Sequence, residues 1–151
     1  MADIDHSIQI AVPANKVYEA LTTAKGIRSW WTADADLERT SGGKGVFRFN
    51  YNGTVETVVR ILVLQPPEQV TWKVEHSFRP EQDGTLINFM LRPEQGGTCL
   101  LFSQTGYAET DETFALMSKG WAYYLVSLKR YVETGKGAPS PNLDFRIMDN
   151  E

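Results

Sequence analysis

The side chains best able to move protons or form bonds are few in this 151-residue chain: two histidines, one cysteine and six tyrosines. His76 ends the run Val70-Thr-Trp-Lys-Val-Glu-His76, and strand alternation places it on one face with Trp72 and Val74. A histidine aimed inward there binds a ligand carboxylate or passes a proton near neutral pH. A partly exposed histidine at a strand end is the competing reading. Tyr51 follows Phe47 and Phe49 on one face, so its hydroxyl either meets a ligand or reaches solvent beside a turn. Glu56, Arg60, Asn88 and Gln104 are expected on the opposite, solvent face of their strands.

The standard catalytic sets are absent. With His6 and His76 the only histidines, there is no His-Glu-x-x-His and no cysteine cluster, so no metal site and no cofactor are expected. No Gly-x-Ser-x-Gly elbow occurs. Ser41-Gly-Gly-Lys-Gly45 lacks the spacing of a phosphate loop and leads into a strand. Cys99, inside Cys-Leu-Leu-Phe, reads as a buried thiol. Asp111 and Glu112 suit a helix start, where the dipole favours acids, and Asp34 and Asp36 fall in a loop.

Elements must position whatever chemistry remains. Ile4, Ile8, Ile10 and Val12 alternate as a strand that Pro13 ends. Two short helices follow, over 14–21 and 24–31; the second places Ile27, Trp30 and Trp31 at helical spacing. Residues 32–43 are polar and glycine-rich and are expected to be a loop. Asn52-Gly53 between two alternating runs predicts a two-residue hairpin turn. Further strands are expected at 70–76, 85–92 and 98–105, making an antiparallel meander. In the strand after Gly53, Val59, Ile61 and Val63 compete with Leu62 and Leu64 for the inner face. Phe114, Met117, Trp121, Leu125, Leu128 and Val132 mark a long helix over 111–134, capped by Thr110 or Asp111 and by Gly135. Gly120 inside it signals close packing or a slight break. Residues 1–137 are read as one domain and 138–151 as an extended, loosely held tail.

Composition narrows the partners. The net charge is −4, without a run of Lys or Arg, which argues against nucleic acid and against anionic membranes. No apolar run approaches the roughly 20 residues of a membrane span, and no basic-then-apolar leader opens the chain. The expectation is a cytoplasmic protein, a monomer or weak homodimer.

The order of elements resembles the helix-grip fold of the START-like (SRPBCC) superfamily. Within it the chain is similar to the domain found at the C-terminus of the activator of the heat-shock protein 90 ATPase and to its stand-alone bacterial relatives. The resemblance is carried by Val12-Pro13-Ala14 with Val17 and Ala20-Leu21-Thr22; Ile27 with Trp30-Trp31; and Gly53. It continues through Pro66-Pro67 with Val70-Thr71-Trp72; Gly97-Thr98; Gly106; and Gly120-Trp121 with Leu125 and Leu128. It implies an α+β fold, a curved antiparallel sheet of six to seven strands gripping the last helix, often with an apolar cavity between. It implies no particular reaction.

Such a cavity has a candidate lining. Trp30 and Trp31 come from the second short helix, with Trp31 toward the sheet and Trp30 at the mouth or against the tip of the long helix. Phe47, Phe49, Tyr51, Ile61, Trp72, Val74, His76 and Phe89 come from strands, and Phe114, Met117, Trp121 and Leu125 from the last helix. The same residues can instead fill a solid core. Three functions follow: binding of a small, largely apolar molecule, a chaperone contact suggested by the resemblance, or an enzyme using His76 or Tyr51.

Overall fold

A computed structural model describes residues 2–150, with backbone alone for 149 and 150. Its elements run β1 (Ala2–Ile10), α1 (Ala14–Thr22), α2 (Ala24–Trp30), β2 (Asp34–Leu37), β3 (Lys44–Asn50), β4 (Thr54–Gln65) and β5 (Gln69–Ser77). β6 (Leu86–Glu94), β7 (Gly97–Tyr107) and α3 (Glu112–Thr134) complete the frame. The seven strands form one sheet in the order β1-β7-β6-β5-β4-β3-β2, all neighbours antiparallel. This is the α+β helix-grip arrangement, with two short helices after the first strand and one long helix at the end.

Three local departures from simple alternation decide which side chains face the helix. First, β4 and β5 carry bulges, each an extra residue in one strand opposite a single partner. At Leu62 the extra residue lets Ile61 and Leu64 both join the core, so each competing parity in that strand holds on its own side of the bulge. At Glu75–His76 the bulge turns His76 outward and Ser77 inward, opposite Thr57. Of the two readings of His76, the exposed one at a strand end holds, and the inward one does not.

Second, Asn50 pairs with Thr54, so the hairpin loop has three residues, Tyr51, Asn52 and Gly53, not two. Asn52 and Gly53 both take positive φ, 56° and 118°, as their types permit. Tyr51 drops out of the ladder and sits at the rim. Third, the expected loop contains a strand. Asp34-Ala-Asp-Leu has little strand propensity, but Arg48 on β3 reaches Asp34 and Asp36 at 3.0 and 3.1 Å and Ala35 is buried. Pairing with β3 overrides local preference.

α3 starts and stops where capping chemistry predicts. Asp111 accepts the Phe114 N–H at 2.9 Å, and Gly135 takes the left-handed conformation at φ 89° while its N–H reaches Tyr131 O. Gly120 neither breaks the helix nor marks a tight contact: a Cβ there would meet nothing within 4 Å. Beyond α3 the chain is held rather than loose. Ser140 bridges to Thr32, and a short 3-10 helix, Phe145–Asn150, buries Ile147 against Tyr123 and Val126.

Candidate aromatic site

Trp31 is the hub of the interior. Its ring lies 4.4 Å from Phe47, 5.0 Å from Trp121 and 6.0 Å from Trp72, the last with planes 5° apart. Indoles from α3, the sheet and the end of α2 therefore meet at one residue, with Trp31 between the other two. Trp30 occupies a different place from the one expected. It is fully buried, packs edge-on to Phe89 and donates its ring N–H to Ala20 O at 2.9 Å, far from any mouth.

A side chain that lines an open cavity keeps accessible surface toward it. Trp30, Phe47, Trp72, Val74 and Phe89 have none, and Ile61 and Leu125 almost none. These seven candidates belong to the buried core. The expected cavity lining is corrected accordingly: rings that approach one another at 4.4–6.5 Å occupy the gap. Two surface concavities, of about 330 and 210 Å³, lie elsewhere, one beside Lys16, Tyr131 and Gly135, the other beside Gln9, Gly96 and Lys129.

Surface access survives at one end, between α3 and the β3–β4 hairpin. Tyr51 is 56% exposed and stacks on Phe78 at 5.4 Å and on Phe49 at 6.3 Å. Phe49 in turn touches Trp31 at 5.8 Å. Aromatic rings thus run unbroken from solvent to the centre. Across from them, Thr113, Met117, Gly120 and Tyr124 follow at helical spacing along one face of α3. Arg79 donates to Thr113 Oγ1 at 3.1 Å, and Tyr124 approaches Trp31 at 6.4 Å. Burial pushes the Tyr124 phenol well above its ordinary pKa, reinforced by the nearby Tyr51 and eased by the Ser140 hydroxyl. Phe114 packs edge-on against Tyr107 farther along the helix, at 5.3 Å.

Behind the aromatics lies a polar set. Gln104 is fully buried and inward, not on the outer face as expected. Its carbonyl accepts the Trp121 ring N–H at 3.0 Å; its amide donates to Gln82 Oε1 at 3.2 Å and Thr85 Oγ1 at 2.9 Å. The Tyr107 hydroxyl donates to the same Gln82 oxygen, and Gln82 donates to Ser77 Oγ at 2.9 Å. Burial, then the nearby Asp111 charge, drives the Tyr107 pKa far up, so the group stays neutral. Among the described residues no buried side-chain polar atom lacks a partner. The signal was present in sequence: Thr98, Leu100, Phe102 and Gln104 share one parity of β7, and all four are buried. Gln82, in a 3-10 turn, left no such signal.

Asn88 does face outward, where it joins Thr71 and Ser103 in a cross-strand ladder at 3.0 and 3.2 Å. Arg60, also outward, pairs with Glu75 at 3.1 Å. No group of three or more His, Cys, Asp or Glu among the described residues is placed to hold a metal ion. No described helix is long and apolar enough to cross a membrane.

A family model described as activator of Hsp90 ATPase homolog 1-like protein matches residues 11–133. Among solved structures, the Aha1 dimer from Colwellia psychrerythraea is 32% identical, with 91% of this chain and 100% of that one covered and a TM-score of 0.79. An AHSA1-like protein from Aeromonas hydrophila is 17% identical over 89% and 94% of the two chains, TM-score 0.72. A Staphylococcus saprophyticus protein is 20% identical over 90% and 95%, TM-score 0.74. The last two likenesses establish the fold alone. No curated protein sequence matches the chain.

Proposed function

This chain belongs to the activator of Hsp90 ATPase homolog 1-like family, and from that premise we propose that it binds a small, largely apolar molecule between α3 and the β3–β4 hairpin. The ligand enters where Tyr51 and Phe78 stack and displaces them to reach Phe49, Trp31 and Trp121. The observation that carries this reading is the exposed Tyr51 at the end of an unbroken ring column. An aromatic left in water is favourably covered, and apolar sites are lined by such groups with a few polar ones behind. Gly120 leaves room on the helix wall. His76 lies outside the site.

Titration of tryptophan fluorescence with N-phenyl-1-naphthylamine tests the reading. Saturable quenching is expected, weakened about tenfold or more in Gly120→Leu, which adds bulk to the helix wall where a Cβ would meet nothing within 4 Å. The absence of saturable change with this and other apolar probes rejects it.

A second reading is a protein contact. The filled interior and the exposed Tyr51 and Leu116 favour a partner that covers the rim from outside. The family's description points to a heat-shock protein 90 chaperone, and the Colwellia relative is a dimer. Tyr51→Asp is then expected to abolish capture of the chaperone, and sedimentation reads any self-association. Capture unaffected by Tyr51→Asp removes the rim from this role.

A further inference from the structure

We infer that residues 136–147 are a strap that opens as a separate unit and gates the aromatic site; the inference rests on the binding reading above and concerns how that site is reached. The strap holds the wall between α2 and α3. The Ser140 N–H donates to Trp31 O at 2.9 Å, and the Ala33 N–H donates to Ser140 O at 2.9 Å. The Ser140 side chain lies beside the Tyr124 hydroxyl. Trp31, one border of the site, is therefore tethered to one residue of the strap.

Two hydroxyls on α3 clip the strap down. Tyr123 donates to Ala138 O at 2.7 Å and accepts the Asp144 N–H at 2.8 Å. Ser127 accepts the Ala138 N–H at 2.8 Å and donates to Trp30 O at 2.7 Å. Gly137 lets the strap lie against α2, since a Cβ there would fall 2.4 Å from Ser29 O.

The apolar hold on the strap is small: Ile147, Ala138 and one face of the Phe145 ring, 5.1 Å from Tyr123. The strap's buried apolar anchor is Ile147, which joins Tyr123 and Val126 in a small cluster apart from the main core. Leu143 and Phe145 are exposed. Segments with few buried apolar contacts open at a fraction of the global unfolding cost. Lifting the strap leaves the seven-stranded sheet intact and frees Trp31 O from Ser140.

Hydrogen exchange and stopped-flow binding of N-phenyl-1-naphthylamine on the full chain test this, with Tyr123→Phe and Gly137→Ala as two independent ways to loosen the strap. Amides of Ala33, Ala138, Ser140 and Asp144 are expected to exchange faster than those of Val59 and Trp72 in the unaltered chain. In either variant they exchange about tenfold faster still, the sheet amides do not change, and probe association accelerates several-fold. Strap amides that exchange only with the sheet overturn the proposal, as does an association rate unchanged in both variants. Failure of the probe to bind any of the three chains sinks the site and its gate together.

Discussion

Trp30 and Trp31 are consecutive in the chain, yet they stack with centroids 5.9 Å apart and planes 13° from parallel. α2 ends between them. Trp30 is its last residue; Trp31 is the cap, with its N–H still on Ile27 O. One indole finishes the contact with α1 and the sheet, and the other enters the centre. Neighbouring residues of one helix interior point about 100° apart and cannot do both.

Trp31→Ala is expected to cost about 3–5 kcal/mol, because the surrounding elements cannot collapse into the space of a whole indole. Trp31→Phe keeps most contacts and costs markedly less. Urea unfolding of the two variants checks the order. Equal, small losses would mean that Trp31 is not the residue on which α2, α3 and the sheet converge.

Gln104→Leu removes the acceptor of Trp121 Nε1 and the donor to Gln82 and Thr85. Each buried polar group left without a partner costs about 1–3 kcal/mol, so the variant is expected to lose at least that much despite being more apolar. A neutral or stabilising result, again by urea unfolding, would place Gln104 in contact with solvent.

Gln104 also measures what the sequence disclosed. Its inward position follows from alternation in β7, and the periodicity of Phe114 to Val132 placed α3 and its caps to within a residue. Alternation failed where a residue was inserted: the bulge at Glu75–His76 is invisible in a pattern that continues apolar-polar on both sides. β2 was missed because it is held by pairing with β3, with Arg48 reaching it from 12 to 14 residues away. The aromatic identities were legible, but whether rings enclose space or fill it depends on distances that spacing does not encode. The strap was missed because Gly-Ala-Pro-Ser-Pro has no apolar period, and its anchors are single hydroxyls on another element.

Alkaline pH is expected to destabilise the fold. Tyr18, Tyr107, Tyr123 and Tyr124 are all raised above the ordinary phenol value, in each case chiefly by burial. In the unfolded chain they ionise near pH 10, while in the fold they stay protonated, so the unfolded state binds fewer protons there. Their contribution is intact below about pH 10 and is lost as pH rises through the folded values. Absorbance of tyrosinate should lag a free-tyrosine curve until the chain unfolds. Normal titration of these four tyrosines in the folded chain would contradict the burial.

Two glycines should respond in opposite directions. Gly120→Ala meets empty space in a helix interior and is expected to stabilise by up to about 1 kcal/mol. Gly135→Ala forces a side chain into the left-handed conformation and is expected to destabilise by about 1 kcal/mol. Thermal unfolding checks both. A loss in Gly120→Ala would mean that α3 lies closer to the hairpin than the open wall requires.

The central claim is the position of the apolar site, and a two-dimensional NMR titration with N-phenyl-1-naphthylamine tests it most directly. Shifts are predicted to concentrate on Phe49, Tyr51, Phe78, Gly120 and Tyr124 and on the indole N–H signals of Trp31 and Trp121. Shifts confined to the groove beside Lys16, Tyr131 and Gly135, or spread without focus over the sheet, would contradict it.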